Sequence, residues 1–580
     1  MGAITENVYK EFPEQTIDWL NTKNYYTSYC SLRYWNAFLS VSDTAGTVNP
    51  FKADDMGSAS TPIKLNRSPD MIYNETDGTV EVVNAGSYLV VYTATIQVNS
   101  GTSGGSSVQK IRRHATNGVI STLMTSAAVF ADDERDPQQC VIHTVIGMTA
   151  GQKISVLSEA GGPGTTSLAP GTSVLIQRLT GHFASARFTT DSDTVTDTGN
   201  VTVFDQNEGI GGTITSTVDG IAYSTTSGRF TPSSERMFVN LQSYILLSTT
   251  GDFSDARHRT TLNGSTSTNG YMEELKAGIS DADDPFCSTN NIMKAIPSSL
   301  GSQPQFKINS DVPDYKFMQG TCATVYDISN NGALPSVYFN LVLDDGTSSD
   351  PGGSAFNVWD DDNYSTFVTK DPNDDTNKAT NSTIGGNKGI TYTPSTGLFT
   401  VDEAGDYVVI SNIVAKEATG LSANVSHLIN SVTPDGTATI EHSTNLYHHP
   451  DLDPISNCAF AIVSLSAGDA ISITTIFMRA KTTAGCSIII YKVGPRMTKL
   501  AGDNEFFDGA TRVKDTTQTV GQPIVKTDDT IDSADKGDQR DRRTEQSPFR
   551  MTVNGPLTLR GRSRSSLPFN VAAGKRGGKK

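Results

Sequence analysis

Three short stretches carry residue types that could do chemistry. "GTSGG" (Gly101 to Gly105) has the Gly-x-Ser-x-Gly spacing of a nucleophile elbow, in which Ser103 would be raised on a strand-to-helix turn. The residues behind it have no helical period, so the run reads as a flexible loop. "YHHPDLDP" sets His448 and His449 beside Asp451 and Asp453, all metal-ligating types. Adjacent histidines on an extended chain point to opposite sides, and the paired-histidine spacing of a zinc helix is absent, so a surface loop is the simpler reading. "WDDDNYS" supplies Asp360, Asp361 and Asp362, and "DPNDDTN" adds carboxylates between Asp371 and Asp375. Oxygen-rich loops can bind calcium, but the glycine and closing glutamate of an EF-hand are missing. The three aspartates are a weak calcium candidate against a solvated acidic loop. No catalytic constellation emerges, and the expectation is a protein that is not an enzyme and uses no cofactor.

The elements that would have to position these residues are strands. At 580 residues the chain exceeds the size at which one hydrophobic core stops growing, so several domains are expected. Hydrophobic residues make up 36%, with abundant Thr, Ser, Gly and Asp, a composition of short strands and turns. No run approaches the ~20 apolar residues of a membrane helix. The opening "MGAITENVYKEFPEQ" lacks the basic start and apolar core of a secretory signal, and Glu6 breaks the myristoylation pattern. "PEQTIDWLNTK" is the best helix candidate, with Pro13 fitted to a first turn. The net charge of −17 argues against a dedicated nucleic-acid binder. It is unevenly placed: residues 546–580 hold eight Lys or Arg and no Asp or Glu, leaving −25 on the rest. Six cysteines are too sparse for a disulfide scaffold and match no zinc spacing.

A repeat organises the middle of the chain. "DGTVEVVNAGSYLVVYTATIQV" and "STGLFTVDEAGDYVVISNIVA" each hold two glycines eight residues apart, Gly78 with Gly86 and Gly397 with Gly405. "SGRFTPSSERMFVNLQSYILLS" repeats the pattern from Gly228, with Arg236 in place of the second glycine. A second block follows 65, 65 and 63 residues later, at Gly151, Gly301 and Gly468. A third begins at Gly171, Gly320 and Gly485. Three equivalent domains follow, 31–181, 182–332 (divergent) and 333–494, opening with "LRYWNAFLSV", "ASARFTT" and "SVYFNLVL". Residues 1–30 form an N-terminal segment and 495–580 an extended or disordered tail. In "SYLVVYTATIQV" and "DYVVISNIVA" apolar residues occupy both parities and then alternate, as in strands buried on one face and partly on the other. The expected class is all-β, with one two-sheet sandwich per unit.

The order "TGLFTVDEAGDYVVIS", "AIVSLSAGDAISI", "GCSIIIYKVG" resembles the C1q head and the wider tumour-necrosis-factor-like jelly rolls. The match falls on Gly397, Phe399, Gly405, Tyr407, Leu465, Gly468 and Asp469. The first unit keeps Gly78, Gly86, Tyr88 and Gly151 but has Val80 and Gln152 for the Phe and Asp; the second keeps Gly228 and Phe230 and departs at Arg236, Phe238 and Ser302. The resemblance implies trimers. Three copies of the chain could stack three layers, or the three units of one chain could form a pseudo-trimer. The short connections "TGHFA" and "SNNGALP" reach about 15 to 25 Å, which suits side-by-side neighbours better. The implied topology also puts a strand between Cys458 and Cys486, about 9 to 10 Å apart, beyond disulfide reach, so thiols are expected.

The tail ends in "GPLTLRGRSRSSLPFNVAAGKRGGKK", which mixes Arg560, Arg562, Arg564, Lys575, Arg576, Lys579 and Lys580 with apolar residues such as Phe569. Such a segment suits docking on an acidic partner better than a bare nucleic-acid arm, with an inert solubilising tail as the alternative. Repeated jelly rolls with an anchoring tail and no visible signal lead us to expect a structural protein located in a virion. It would be a capsid-associated, decoration or fibre protein, with other virion proteins and a host surface glycan or protein as partners. The alternative is a secreted, extracellular C1q-like recognition protein.

Overall fold

The computed structural model describes residues between 28 and 514 apart from intervening loop segments, the longest at 276–285 and 371–387. The described chain is nearly all β, its one short helix being a 3-10 turn at Gln206–Glu208. The candidate helix near Pro13 lies outside the described residues. Three short strands, Thr498–Lys499, Glu505–Phe507 and Arg512–Lys514, form a small separate sheet where the sequence reading placed extended tail.

Residues 29–494 build six antiparallel sheets in three pairs. In the third pair, the inner sheet runs Val368–Lys370, Tyr338–Asp345, Ser487–Gly494, Gly405–Glu417, Ile455–Leu465. The outer one runs Ile390–Thr393, Leu398–Val401, Ala470–Phe477, Ala423–Val432, Ala438–His448. The first and last strands of the unit are neighbours, and each sheet draws strands from both halves of the sequence. This is jelly-roll connectivity. The same order recurs strand for strand in residues 29–179 and 183–327, so the three sandwiches are equivalent in topology. The first sandwich opens at Tyr29–Arg33, and Leu39–Val41, from the run expected as one strand to Val41, pairs with Thr166–Leu168.

The doubled parity of the long strands has a structural cause. Tyr88, Val90 and Tyr92 point into their own sandwich, while Leu89 and Val91 point out of it into a second core. Tyr407 and Val409 face inward in the third sandwich, with Val408 and Ile410 in that same second core. In the middle unit Phe238 faces inward and Val239 and Leu241 outward. The second core therefore takes side chains from all three sandwiches, among them Phe183, Phe460 and Ile462. Each such large side chain contributes about 1.5–3 kcal/mol by leaving water.

The sandwiches meet in one repeated way. Gln138–Met148 of the first packs on Phe183–Phe188 and Cys322–Asp327 of the second. Phe286–Ala295 of the second packs on Tyr338–Asp345 and Ser487–Gly494 of the third, and Ile455–Leu465 of the third returns to Tyr29–Arg33 and Ser173–Leu179 of the first. Three head-to-tail contacts of the same kind close on themselves, as they do in a rotational assembly.

Candidate functional site

Among the described residues, buried polar side chains from different repeats meet where the sandwiches do. Gln177, Tyr326 and Tyr491 each stand six residues after the closing-block glycines Gly171, Gly320 and Gly485. They converge: Tyr326 and Tyr491 hydroxyls lie 2.9 Å apart, and the Tyr491 hydroxyl donates to Gln177 Oε1 at 2.6 Å. Equivalent residues of three repeats can meet only near a common centre. Burial raises both phenols above their ordinary range, so they stay protonated.

The seam from third to first sandwich is charged. Arg33, fully buried, donates to Ile462 O (2.6 Å) and Asn66 Oδ1 (2.6 Å) and lies 3.8 Å from Glu441. Burial lowers its guanidinium to about 10, opposed by Glu441 and Asp406. Lys64 pairs with Glu441 at 3.6 Å, and Tyr29 Oη donates to Asp406. Gln139 exchanges two hydrogen bonds with the Cys458 backbone, at 2.8 and 2.9 Å, as a strand would. At the seam from first to second, His143 Nδ1 lies 2.9 Å from Thr324 Oγ1, which also lies 2.9 Å from Ser185 Oγ, and Arg187 donates to Thr144 Oγ1 at 3.1 Å.

Three histidines are sealed within this assembly. Burial pushes His143 and His427 down to about 3. His427 sits between Ser411 Oγ (2.9 Å) and Asn457 O (3.1 Å). His442 lies well below its ordinary value through burial, with Arg33, His427 and Lys64 adding to the effect.

The residues singled out in the sequence fall as follows. Gly78, Gly228 and Gly397 share a left-handed turn, at φ 63°, 59° and 61°. Around Gly397 the space is closed too, since a Cβ would lie 2.5 Å from the Asn357 side chain. Gly405 has a different cause: a Cβ there would meet Lys492 at 2.5 Å and Gly494 O at 2.9 Å, so the neighbouring strand excludes it. Gly86 likewise approaches Arg178. Gly151 and Gly468 occupy equivalent turns at φ 81° and 88°. Phe230 and Phe399 are buried, each 5.0 Å from a tyrosine ring, Tyr223 and Tyr392. Tyr407 Oη donates to Glu403 O at 2.6 Å, as Tyr88 Oη does to Asn84 O. Asp469 accepts from Ser466 N (2.7 Å), and Gln152 takes that role in the first sandwich by accepting from Thr149 N (3.0 Å).

Of the acidic candidates only Asp360 is described, in a turn where its N–H meets Asn357 O (3.4 Å). Asp361 and Asp362 lie outside the described residues, as do Ser103, His449, Asp451, Asp453, Gly301 and the tail from Arg560 to Lys580 including Arg562, Arg564, Phe569, Lys575, Arg576 and Lys579. Behind "GTSGG" a strand, Gly105–His114, takes the place a nucleophile elbow gives to a helix. His448 ends the Ala438–His448 strand. Cys458 and Cys486 are buried thiols flanking the Gly405–Glu417 strand, where Asn412 pairs with both Cys458 and Ser487.

Sequence reasoning missed one recurring lock. Asn49 and Asn357 each donate to the carbonyl of the turn glycine, Gly78 O at 2.9 Å and Gly397 O at 3.0 Å, and each accepts from the N–H two residues on, of Phe51 and Trp359. Tyr73, Tyr223 and Tyr392 then cap Phe51, Phe204 and Trp359 carbonyls, all at 2.6 Å. The shared Asn-x-aromatic spacing was the available signal.

No family model matches the chain, and no curated protein matches it. Among solved structures, the structure of Eiger TNF from S. frugiperda is similar at 16% identity over 27% of this chain and 92% of that one, with a TM-score of 0.20. The crystal structure of murine APRIL at pH 8.5 is similar at 16% identity over 26% of this chain and 99% of that one, with a TM-score of 0.18.

Proposed function

We propose that this chain is a non-enzymatic structural protein of a virus particle, a single-chain counterpart of a trimer. Its rigid jelly-roll body would dock on other particle proteins through the basic residues of its tail and present its loops to a host surface. The observation that carries the reading is the second core, where Leu89, Val239, Val408 and their neighbours from three sandwiches share one apolar centre. A chain that devotes both faces of three sheets to packing is suited to bearing load. The particle assignment adds to this the sequence character of the body and its basic tail, an association rather than a consequence of the fold. Mass spectrometry of purified particles with gold-labelled antibody against the body tests it, and absence from particles sinks it.

A secreted recognition role is the second reading. It is favoured by Val119 and Ile120, which are 54% and 53% exposed at the tip of a hairpin, where a ligand could cover them. Binding of the purified protein to cell-surface glycans or proteins, lost on Val119→Ser with Ile120→Ser, would support it.

A further inference from the structure

Arg187 holds in the second sandwich the position that Arg33 holds in the first. Each pairs in register with the residue two after its closing-block glycine, Arg187 with Cys322 and Arg33 with Ser173. Each also reaches back to the preceding sandwich, Arg33 to Ile462 O at 2.6 Å and Arg187 to Thr144 Oγ1 at 3.1 Å. The third sandwich has Val342 at this register position.

What faces the two arginines differs. Glu441 is the extra residue of a β-bulge, between the pairs Ile429↔His442 and Asn430↔Ile440. A bulge aims one side chain out of the regular alternation, and here it aims the carboxylate at Arg33. The first sandwich has the same bulge, between Ile111↔Met124 and Arg112↔Thr122, and its extra residue is Leu123. Asp406, the second carboxylate felt by Arg33, follows Gly405; the equivalent after Gly86 is Ser87. Lys64 beside Arg33 becomes Thr215 beside Arg187. The third-to-first seam thus sets two cations against two anions, while the first-to-second seam keeps one cation and neither anion.

A recess lies where the missing carboxylate would be. It has a volume of about 140 Å³ and is lined by Leu123, Met124, Thr125, Arg187, Phe188 and Gln319 among others. That resembles the ~150 Å³ cavities that admit a benzene-sized guest. Among the described residues the guanidinium makes one hydrogen bond, to Thr144, and its Nε is buried without a partner. Asp191, which does not line the recess, accepts from the backbone N–H of Gln319 at 2.8 Å. A guanidinium with spare donors, in a wall that mixes Leu123, Met124 and Phe188 with Thr122, Thr125 and Thr189, suits a carboxylate on a short aliphatic stem.

We propose that this recess is a binding site for a small free carboxylate, which Arg187 holds in the place that Glu441 fills for Arg33. The inference rests on the seams alone and stands whether or not the protein belongs to a particle. Isothermal titration of the full chain with sodium butyrate and with butyramide, at low ionic strength and neutral pH, tests it. Butyrate should bind one per chain and butyramide should not. Arg187→Gln should weaken butyrate by about tenfold or more. Leu123→Glu should abolish butyrate binding by supplying its own carboxylate, and it decides the matter should Arg187→Gln fail to fold. Butyramide binding as well as butyrate, undiminished binding to Leu123→Glu, or no binding to the unaltered chain would each overturn the proposal.

Discussion

Acid should destabilise the folded body by an amount that follows from two histidines. His143 and His427 are held near 3 by burial, against about 6.5 in an unfolded chain. Below about 6.5 the unfolded state binds more protons than the folded one, so stability rises with pH across this window. The contribution is fully present above the unfolded value and is lost as pH falls towards 3. Each histidine forfeits about 1.4 kcal/mol per pH unit, or about 2.7 kcal/mol between pH ~7.5 and ~4.5. The pair amounts to about 5 kcal/mol, and His442, depressed in the same direction, adds to it. Against a typical total of about 5–15 kcal/mol this is a large fraction. Urea unfolding in steps from pH ~7.5 to ~4.5 measures it, a range chosen to stay above most carboxylate titrations. His143→Gln, which keeps a polar group towards Thr324, should lower the slope by about a third. A stability curve flat across that range, or a slope unchanged in the variant, would refute the reasoning.

Further outcomes are expected elsewhere. Phe460→Ala, in the core shared by the three sandwiches, should cost about 3–5 kcal/mol and shift a single unfolding transition seen by denaturant titration. Separate transitions for the sandwiches would contradict a shared core. Gly397→Ala should cost about 1–3 kcal/mol by forcing a left-handed turn against Asn357, readable as a lowered Tm. Deleting residues 546–580 should leave that Tm unchanged while abolishing retention on particles in a sedimentation assay.

Much of this architecture was legible because it repeats. The glycine pairs gave the register of three units, and the apolar residues on both parities of "SYLVVYTATIQV" signalled a strand buried twice over. What sequence could not reveal is which neighbour buries the second face: Leu89, Val239 and Val408 are ordinary apolar residues until the sandwiches close on one another. The reason for Gly405 also escaped, since it answers to Lys492 on an adjacent strand and not to its own turn. Gln152 looked like a lost Asp469, yet both caps accept an N–H three residues back. The seam chemistry was invisible for a similar reason. Leu123 and Glu441 align only once the bulges at Arg112 and Asn430 are placed.

The short connections between sandwiches bear on how the body behaves when scarce. The first sandwich ends at Leu179 and the second begins at Phe183. Partners on so brief a tether meet at an effective concentration of the order of millimolar, whatever the bulk concentration. Separate subunits would drift apart on dilution and exchange with one another; here the three remain together down to a single molecule, and their proportions cannot vary.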